Sequence, residues 1–344
     1  MSDKPSNLTG TATGSAAATT TTATATAAAR LLVPSKWRAW ELLLWAALWA
    51  TPLLLGQHAA LINEIAILAL FALSLDLILG YAGIVSLGHA AFFGVGAYGA
   101  ALFAKHVMPD PLVGLAVGTA LGALLGLLTS PMIVRGTDLT RLMVTMGVAL
   151  VLFELANKFD ALTGGADGLQ GVVMGPLLGR FDFDLGARVA SVYSLAVLFL
   201  AFVLLRRIVH SPLGLSMQAL RDNRLRVMAI GLSVNARLAA VYTLAAALAG
   251  AAGALLAQTT GFASLDVFDF HRSADVMLAL IIGGAGWLWG GIAGAIAFKL
   301  LHDVISAITA QYWTFWIGLF LVVLMLVGRE RLLRPRQWFR KGGP

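Results

Sequence analysis

Long apolar blocks alternate with short polar breaks along most of this chain. Leu42–Leu55, Ile65–Leu79, Leu112–Val134 and Thr314–Val327 are such blocks, and they approach or reach the roughly 20 residues a helix needs to cross about 30 Å of hydrocarbon. Reading the breaks as loops predicts ten spans, near 40–56, 60–80, 84–104, 111–134, 138–157, 188–209, 237–260, 274–287, 289–306 and 312–328. The expected fold class is an all-α membrane protein. It is a polytopic bundle of about ten transmembrane helices, with short or broken helices in Gly-rich segments.

Composition excludes the soluble alternative. Of 344 residues, 59% are hydrophobic and 12% charged, and a water-facing surface needs far more polar residues than that. The 36–328 region is expected to be the transmembrane domain, with a long cytoplasmic loop at 210–236. Residues 1–35 open on an Ala/Thr-rich tract with no side chains for a core, which predicts a disordered cytoplasmic tail. That tract lacks the apolar centre of a signal peptide. Residues 329–344 form a basic cytoplasmic tail.

The formal charge of +7 follows from loop chemistry and not from nucleic-acid binding, because cytoplasmic loops of membrane proteins concentrate Lys and Arg. One set of loops contains Lys36, Arg38, Arg135, Arg141, Arg206, Arg207, Arg221, Arg224, Arg226 and Arg237 and leads to the basic tail. The other holds Lys105, Lys158, Arg180, Arg188 and Arg272, among the acids Asp160, Asp167, Asp182, Asp184, Asp266 and Asp269. The asymmetry predicts both termini on the cytoplasmic side of a cytoplasmic membrane. The chain has no cysteine, which removes disulfides and thiol chemistry. No spacing of His and acidic residues suggests a metal site, and no cofactor motif is present.

Small residues recur at helix-packing intervals: Gly286, Gly290 and Gly294, and Ala246, Gly250 and Ala254. The stretch Gly80–Gly99 holds six glycines. It reads either as tight packing or as a broken helix beside a substrate path. In the long loop, Leu220, Val227 and Met228 are expected on one side of a short helix over 217–231, with Arg221, Asn223 and Arg224 outward and Gly231 ending it. Such a helix lies in the lipid interface or docks in a partner's groove.

Ionisable groups at membrane depth are functional candidates. Asp76, His89, Glu154, Asp275, Lys299 and Asp303 fall within or near spans, and Glu64 and His302 nearer the interfaces. Asp76 and His89 flank the Gly-rich bend and are candidates to pair or to fix it. Lys299 and Asp303, four apart, are expected to neutralise each other.

Leu73 through Tyr98, with its Gly-Tyr-Ala-Gly-Ile-Val-Ser-Leu-Gly-His core, resembles the signature of LivM-type branched-chain amino acid ABC permeases. Leu162–Leu169 does too, as does the loop with Ala219-Leu-Arg-Asp-Asn223 and Ile230-Gly231. Asp275–Gly294 resembles the family's Gly-Gly segment, with Trp287, Trp289 and Gly291 as departures that suggest a turn at 287–289 near the cytoplasmic surface.

The resemblance implies an importer subunit in the bacterial inner membrane. Its partners are a homologous second permease subunit, two cytoplasmic ATP-binding subunits and an extracytoplasmic substrate-binding protein. It assigns Ala219, Leu220, Arg221, Asp222, Asn223, Arg224 and Gly231 to ATPase coupling. The polar residues at membrane depth, Asp76, Ser86, His89, Glu154 and Asp275, are the candidates for the pathway. Branched-chain amino acids are the implied cargo, with urea, short amides or aromatic acids as alternatives. An ion-coupled secondary transporter is the alternative of another class. The chain has no Gly-x-x-x-x-Gly-Lys-Ser/Thr loop, so nucleotide hydrolysis would belong to other subunits.

Overall fold

Twelve α-helices are present among the described residues. The computed structural model describes residues 38–308, except 55, 137, 184 and 185, together with isolated positions between 312 and 322. The expected tails at 1–35 and 329–344 lie outside the described residues, as does most of the span expected at 312–328. The helices are α1 (Ala39–Leu54), α2 (Ala59–Asp76), α3 (Ala90–His106), α4 (Pro111–Arg135), α5 (Asp138–Lys158), α6 (Asp160–Thr163), α7 (Arg188–Val209), α8 (Pro212–Asp222), α9 (Arg224–Ala229), α10 (Val234–Thr260), α11 (Phe270–Gly283) and α12 (Leu288–Ile308). A π-turn, Leu77–Tyr81, extends α2. Residues up to Leu44 form one unit, which contributes the opening of α1, and residues from Trp45 onward form another.

Six helical segments are long and apolar enough to cross a membrane: Gly56–Tyr81, Pro111–Val134, Leu139–Lys158, Arg188–Val209, Val234–Thr260 and Leu288–Ile308. The protein is an all-α membrane protein. Three further expected spans come out short, the first of them α1 with 16 residues. With 14 residues, α11 covers about 21 Å at ~1.5 Å per residue, less than the hydrocarbon thickness. The span expected over 84–104 begins as a helix only at Ala90. Its first part, Ala82–His89, is non-helical and largely buried, with Ser86 at 1% exposure and His89 at 0%. Gly83 turns the chain there with φ +71°, a conformation that a side chain disfavours.

The long helix α10 is the packing axis of the second unit, lying along α4, α3 and α2. Without a hydrophobic drive between helices in lipid, close backbone approach is what holds such pairs. Gly250 of the expected small-residue trio meets Gly118 and Gly122 of α4: a Cβ on it would stand 2.6 Å from the Gly118 carbonyl oxygen. The second trio is composed differently. Gly286 lies in the α11–α12 turn with φ +82°, and Gly283 of α11 takes its place opposite Gly290 and Gly294. The turn also precedes the tryptophans' expected position. Trp289 is already inside α12 and 6% exposed, packed 4.9 Å from Phe202 and 5.7 Å from Trp45.

The segment Thr163–Leu169 forms a chain of tight turns with Gly164, Gly165 and Gly168 at positive φ. It is tied to the end of α10 by the Leu169–Ala263 bridge.

Gly253 and Gly147 make opposite predictions. A Cβ on Gly253 would stand 1.8 Å from the Phe93 carbonyl oxygen, whereas one on Gly147 meets nothing within 4 Å. Gly253→Val is expected to destabilise by about 3 kcal/mol or more through overpacking, seen as loss of monodisperse detergent-solubilised protein. Gly147→Ala is expected to raise the thermal midpoint slightly, by about 0.5–1 kcal/mol of helix propensity.

Candidate functional site

Two polar constellations lie toward opposite ends of the bundle, and α2 runs between them. The first lines a cavity of about 560 Å³ bounded by α2, α10, α11 and α12. Its polar groups are Asn63, Glu64, Thr259, Thr260, Arg272, Asp275, Lys299 and His302, and its walls include Ile67, Phe71, Phe93 and Phe298. One end of the site is fixed by neutral hydrogen bonds. Ser194 donates to Asn63 Oδ1 at 2.6 Å, and Asn63 Nδ2 donates to Thr259 Oγ1 at 3.0 Å, joining α7, α2 and α10.

Lys299 faces Glu64 at 2.5 Å across the α2–α12 contact, and Asp303 only at 4.0 Å. The expected Lys299–Asp303 pair is therefore secondary, because the neighbouring helix offers a better-placed carboxylate. Asp275 makes no hydrogen bond or ion pair among the described residues. The basic side chains near enough to act on it are Arg272, His302, His271 and Lys299.

Of the five residues suggested for a pathway, Asp275 alone lines this cavity. His89 lies behind its wall: the ring stacks on Phe71 with centroids 5.4 Å apart, and its Nε2 and the Ser74 hydroxyl lie 2.9 Å apart. Asp76 and His89 do not pair with each other. Each fixes a different side of the break, Asp76 by accepting from the Gly286 amide at 2.6 Å. Ser86 is buried within the break. Glu154 is exposed on α5 in a shallow groove with Leu150, Val151 and Lys158, away from the cavity. Asn63 and Thr259 were missed as candidates, since neutral polar residues within apolar runs resemble ordinary packing. The relation of Glu64 to Lys299 is a contact between distant segments that no local spacing encodes.

The second constellation lies where the long loop meets the break. The expected single helix over 217–231 is two helices. Asn223 leaves helical geometry at φ −158°, ψ 101° and caps the second by accepting from the Arg226 amide at 3.0 Å. This short side chain satisfies an amide that a continuing helix would otherwise have bonded. The chain turns out of the second helix at Gly231, φ +78°. Leu220 and Val227 are buried, as expected, but Met228 points away at 47% exposure, beside Leu225 at 74% and Ile230 at 72%. Arg221 is exposed, as expected. Its guanidinium donates to the Gly80 carbonyl at the end of the π-turn, and its side chain lies along Gly83 and Gly286. Arg224 donates to the Val134 carbonyl at 3.2 Å, near the end of α4. Ala219 is half-buried and Asp222 exposed.

Residues 58–328 match the family described as branched-chain amino acid transport system / permease component. Among curated proteins, the chain is 29% identical over 293 aligned positions to the high-affinity branched-chain amino acid transport system permease protein LivM of Salmonella typhimurium, covering 77% of this chain and 67% of the relative. It is 28% identical to the LivM protein of Escherichia coli over the same shares. No solved structure matches the chain significantly. The break, the loop that contacts it and the cavity all lie within the matched region, and the chain belongs to the family of branched-chain amino acid transport permease components.

Proposed function

We propose that this chain is the membrane-spanning subunit of an ABC importer for branched-chain amino acids in a bacterial inner membrane. ATP hydrolysis is supplied by two partner subunits, cargo by an extracytoplasmic binding protein, and the other half of the pathway by a homologous permease subunit. Ten spans with both termini cytoplasmic fit the charge asymmetry: α8, α9 and the basic loop ends face the cytoplasm, and the cavity opens toward the opposite side. The tails at 1–35 and 329–344 then lie in the cytoplasm.

The contact between Arg221 and Gly80 carries this reading. A transport subunit driven by a separate ATPase needs a surface that receives force and a link that delivers it to the spans. The outward face of α9, with Leu225, Met228 and Ile230 exposed, supplies the first. Arg221 and Arg224 supply the second, since each grips a backbone carbonyl at a helix end. A charged donor on a carbonyl contributes about 1.5–3 kcal/mol, enough to keep the loop and the break moving together. Ala219, Leu220, Asp222, Asn223 and Gly231 shape this element, and the two arginines connect it.

The two roles separate experimentally. Leu225→Glu with Met228→Glu is expected to abolish co-purification of the ATPase while leaving thermal stability of the permease nearly unchanged, as exposed sites usually do. Arg221→Gln is expected to leave the ATPase bound while uptake per ATP hydrolysed falls by about tenfold or more, the equivalent of one lost charged hydrogen bond. Full assembly and full uptake in both variants overturn the coupling assignment.

A further inference from the structure

We infer that the cavity between α2, α10, α11 and α12 is a binding site for a free zwitterionic amino acid with an aliphatic side chain. This rests on the importer reading and adds a location and a charge logic to it.

Three observations converge. The cavity volume of about 560 Å³ falls inside the range of roughly 300–1,000 Å³ typical of small-molecule sites. Its charged groups are of both signs and only partly committed. Lys299 is engaged by Glu64, whereas neither Arg272 nor Asp275 has an ion-pair partner within 4.0 Å among the described residues. The same cavity is lined by Ile67, Phe71, Phe93 and Phe298, side chains that offer apolar contact and no hydrogen bonds.

The charges decide among ligand classes. Arg272 and Asp275 are three residues apart on α11, so both reach one face of that helix. An α-ammonium set beside Asp275 and an α-carboxylate set beside Arg272 would compensate both. Asp275 lies partly out of water, where an uncompensated ion is penalised, while Arg272 is exposed and free to turn to a ligand. A ligand with only a carboxylate leaves Asp275 to repel it, and one with only an ammonium meets Arg272. Urea or a short amide compensates neither charge and leaves the apolar wall unfilled. The aliphatic side chain of a leucine-sized ligand points at that wall. The ion pair of Lys299 and Glu64, at the side of the same cavity, keeps those two charges from competing for the ligand's.

The absence of cysteine makes the site directly testable. Thr260 and Ala60 both line the cavity and are exposed. Thr260→Cys, or Ala60→Cys as a second reporter, is introduced into the full importer in membrane vesicles and labelled with a charged maleimide. L-Leucine at ten times its Kd is expected to slow labelling about tenfold. Isoamylamine, 4-methylpentanoate and urea at that concentration are expected to leave the rate unchanged. Asp275→Asn or Arg272→Gln is expected to abolish protection, and Asp275→Glu to restore part of it.

If leucine fails to slow labelling at both reporters, or if the amine or urea protects equally well, the site is wrong. Uptake of radiolabelled leucine by the same Thr260→Cys importer separates the two claims. Uptake without protection overturns the cavity and leaves the importer reading standing. If the unsubstituted importer takes up no amino acid, the importer reading itself falls.

Discussion

The non-helical stretch Ala82–His89 is largely buried inside a bundle, where most backbone amides and carbonyls cannot turn to water and must be met by protein. Inside the stretch the Ile84 amide is met by the Ile78 carbonyl, while the helix ends on either side of it are met from far away in sequence. Ser273 of α11 accepts from the Ala90 amide at 2.9 Å, and Arg221 of α8 donates to the Gly80 carbonyl. Asp76 accepts from Gly286 in the α11–α12 turn, which brings that turn against the same place. Satisfying one interrupted helix thus fixes how α2, α3, α8, α11 and α12 meet.

The same requirement accounts for the glycines around the break. A Cβ on Gly80 would stand 2.3 Å from the Gly286 amide nitrogen, so the Asp76–Gly286 contact exists only because both positions are bare. Arg221 lies against Gly83 for the same reason, with 3.0 Å from its Cγ to the place a Cβ would take. Glycine here makes room for a junction of three elements, and a Gly-rich run alone did not distinguish that from ordinary helix packing.

Much of the architecture was legible from the chain because apolar block length encodes it. The helices near 111–134, 138–157 and 188–209 fall close to their expected bounds. The small-residue face of α10 around Gly250 was likewise readable from spacing. What escaped was what depends on distant partners. Asn223 splitting the loop helix, Gly283 replacing Gly286 in the hairpin and Glu64 displacing Asp303 as the partner of Lys299 are all set by another segment's position. Periodicity sees one helix at a time. The bond from Arg221 to the Gly80 carbonyl belongs to the same class, since an exposed arginine on a short loop helix shows its carbonyl partner only once the fold is known.

Continuity along α2 then relates the two polar regions. Asn63 and Glu64 border the cavity near its first turns, Phe71 forms part of the cavity wall, and Asp76 and Gly80 end it at the loop contact. From Glu64 to Gly80 is 16 residues, about 24 Å at ~1.5 Å per residue, through a segment whose side chains are mostly buried. A helix packed that tightly moves as a rod or by a change at its weak point, because close-packed interiors do not deform gradually. The weak point is the π-turn at Leu77–Tyr81, a geometry that is rare and often found at functional positions. A displacement of Arg221 therefore acts where α2 is easiest to rewind. The stacked His89–Phe71 pair lies between that point and the wall of the cavity, so a rewinding there reaches the cavity through packed aromatic contact.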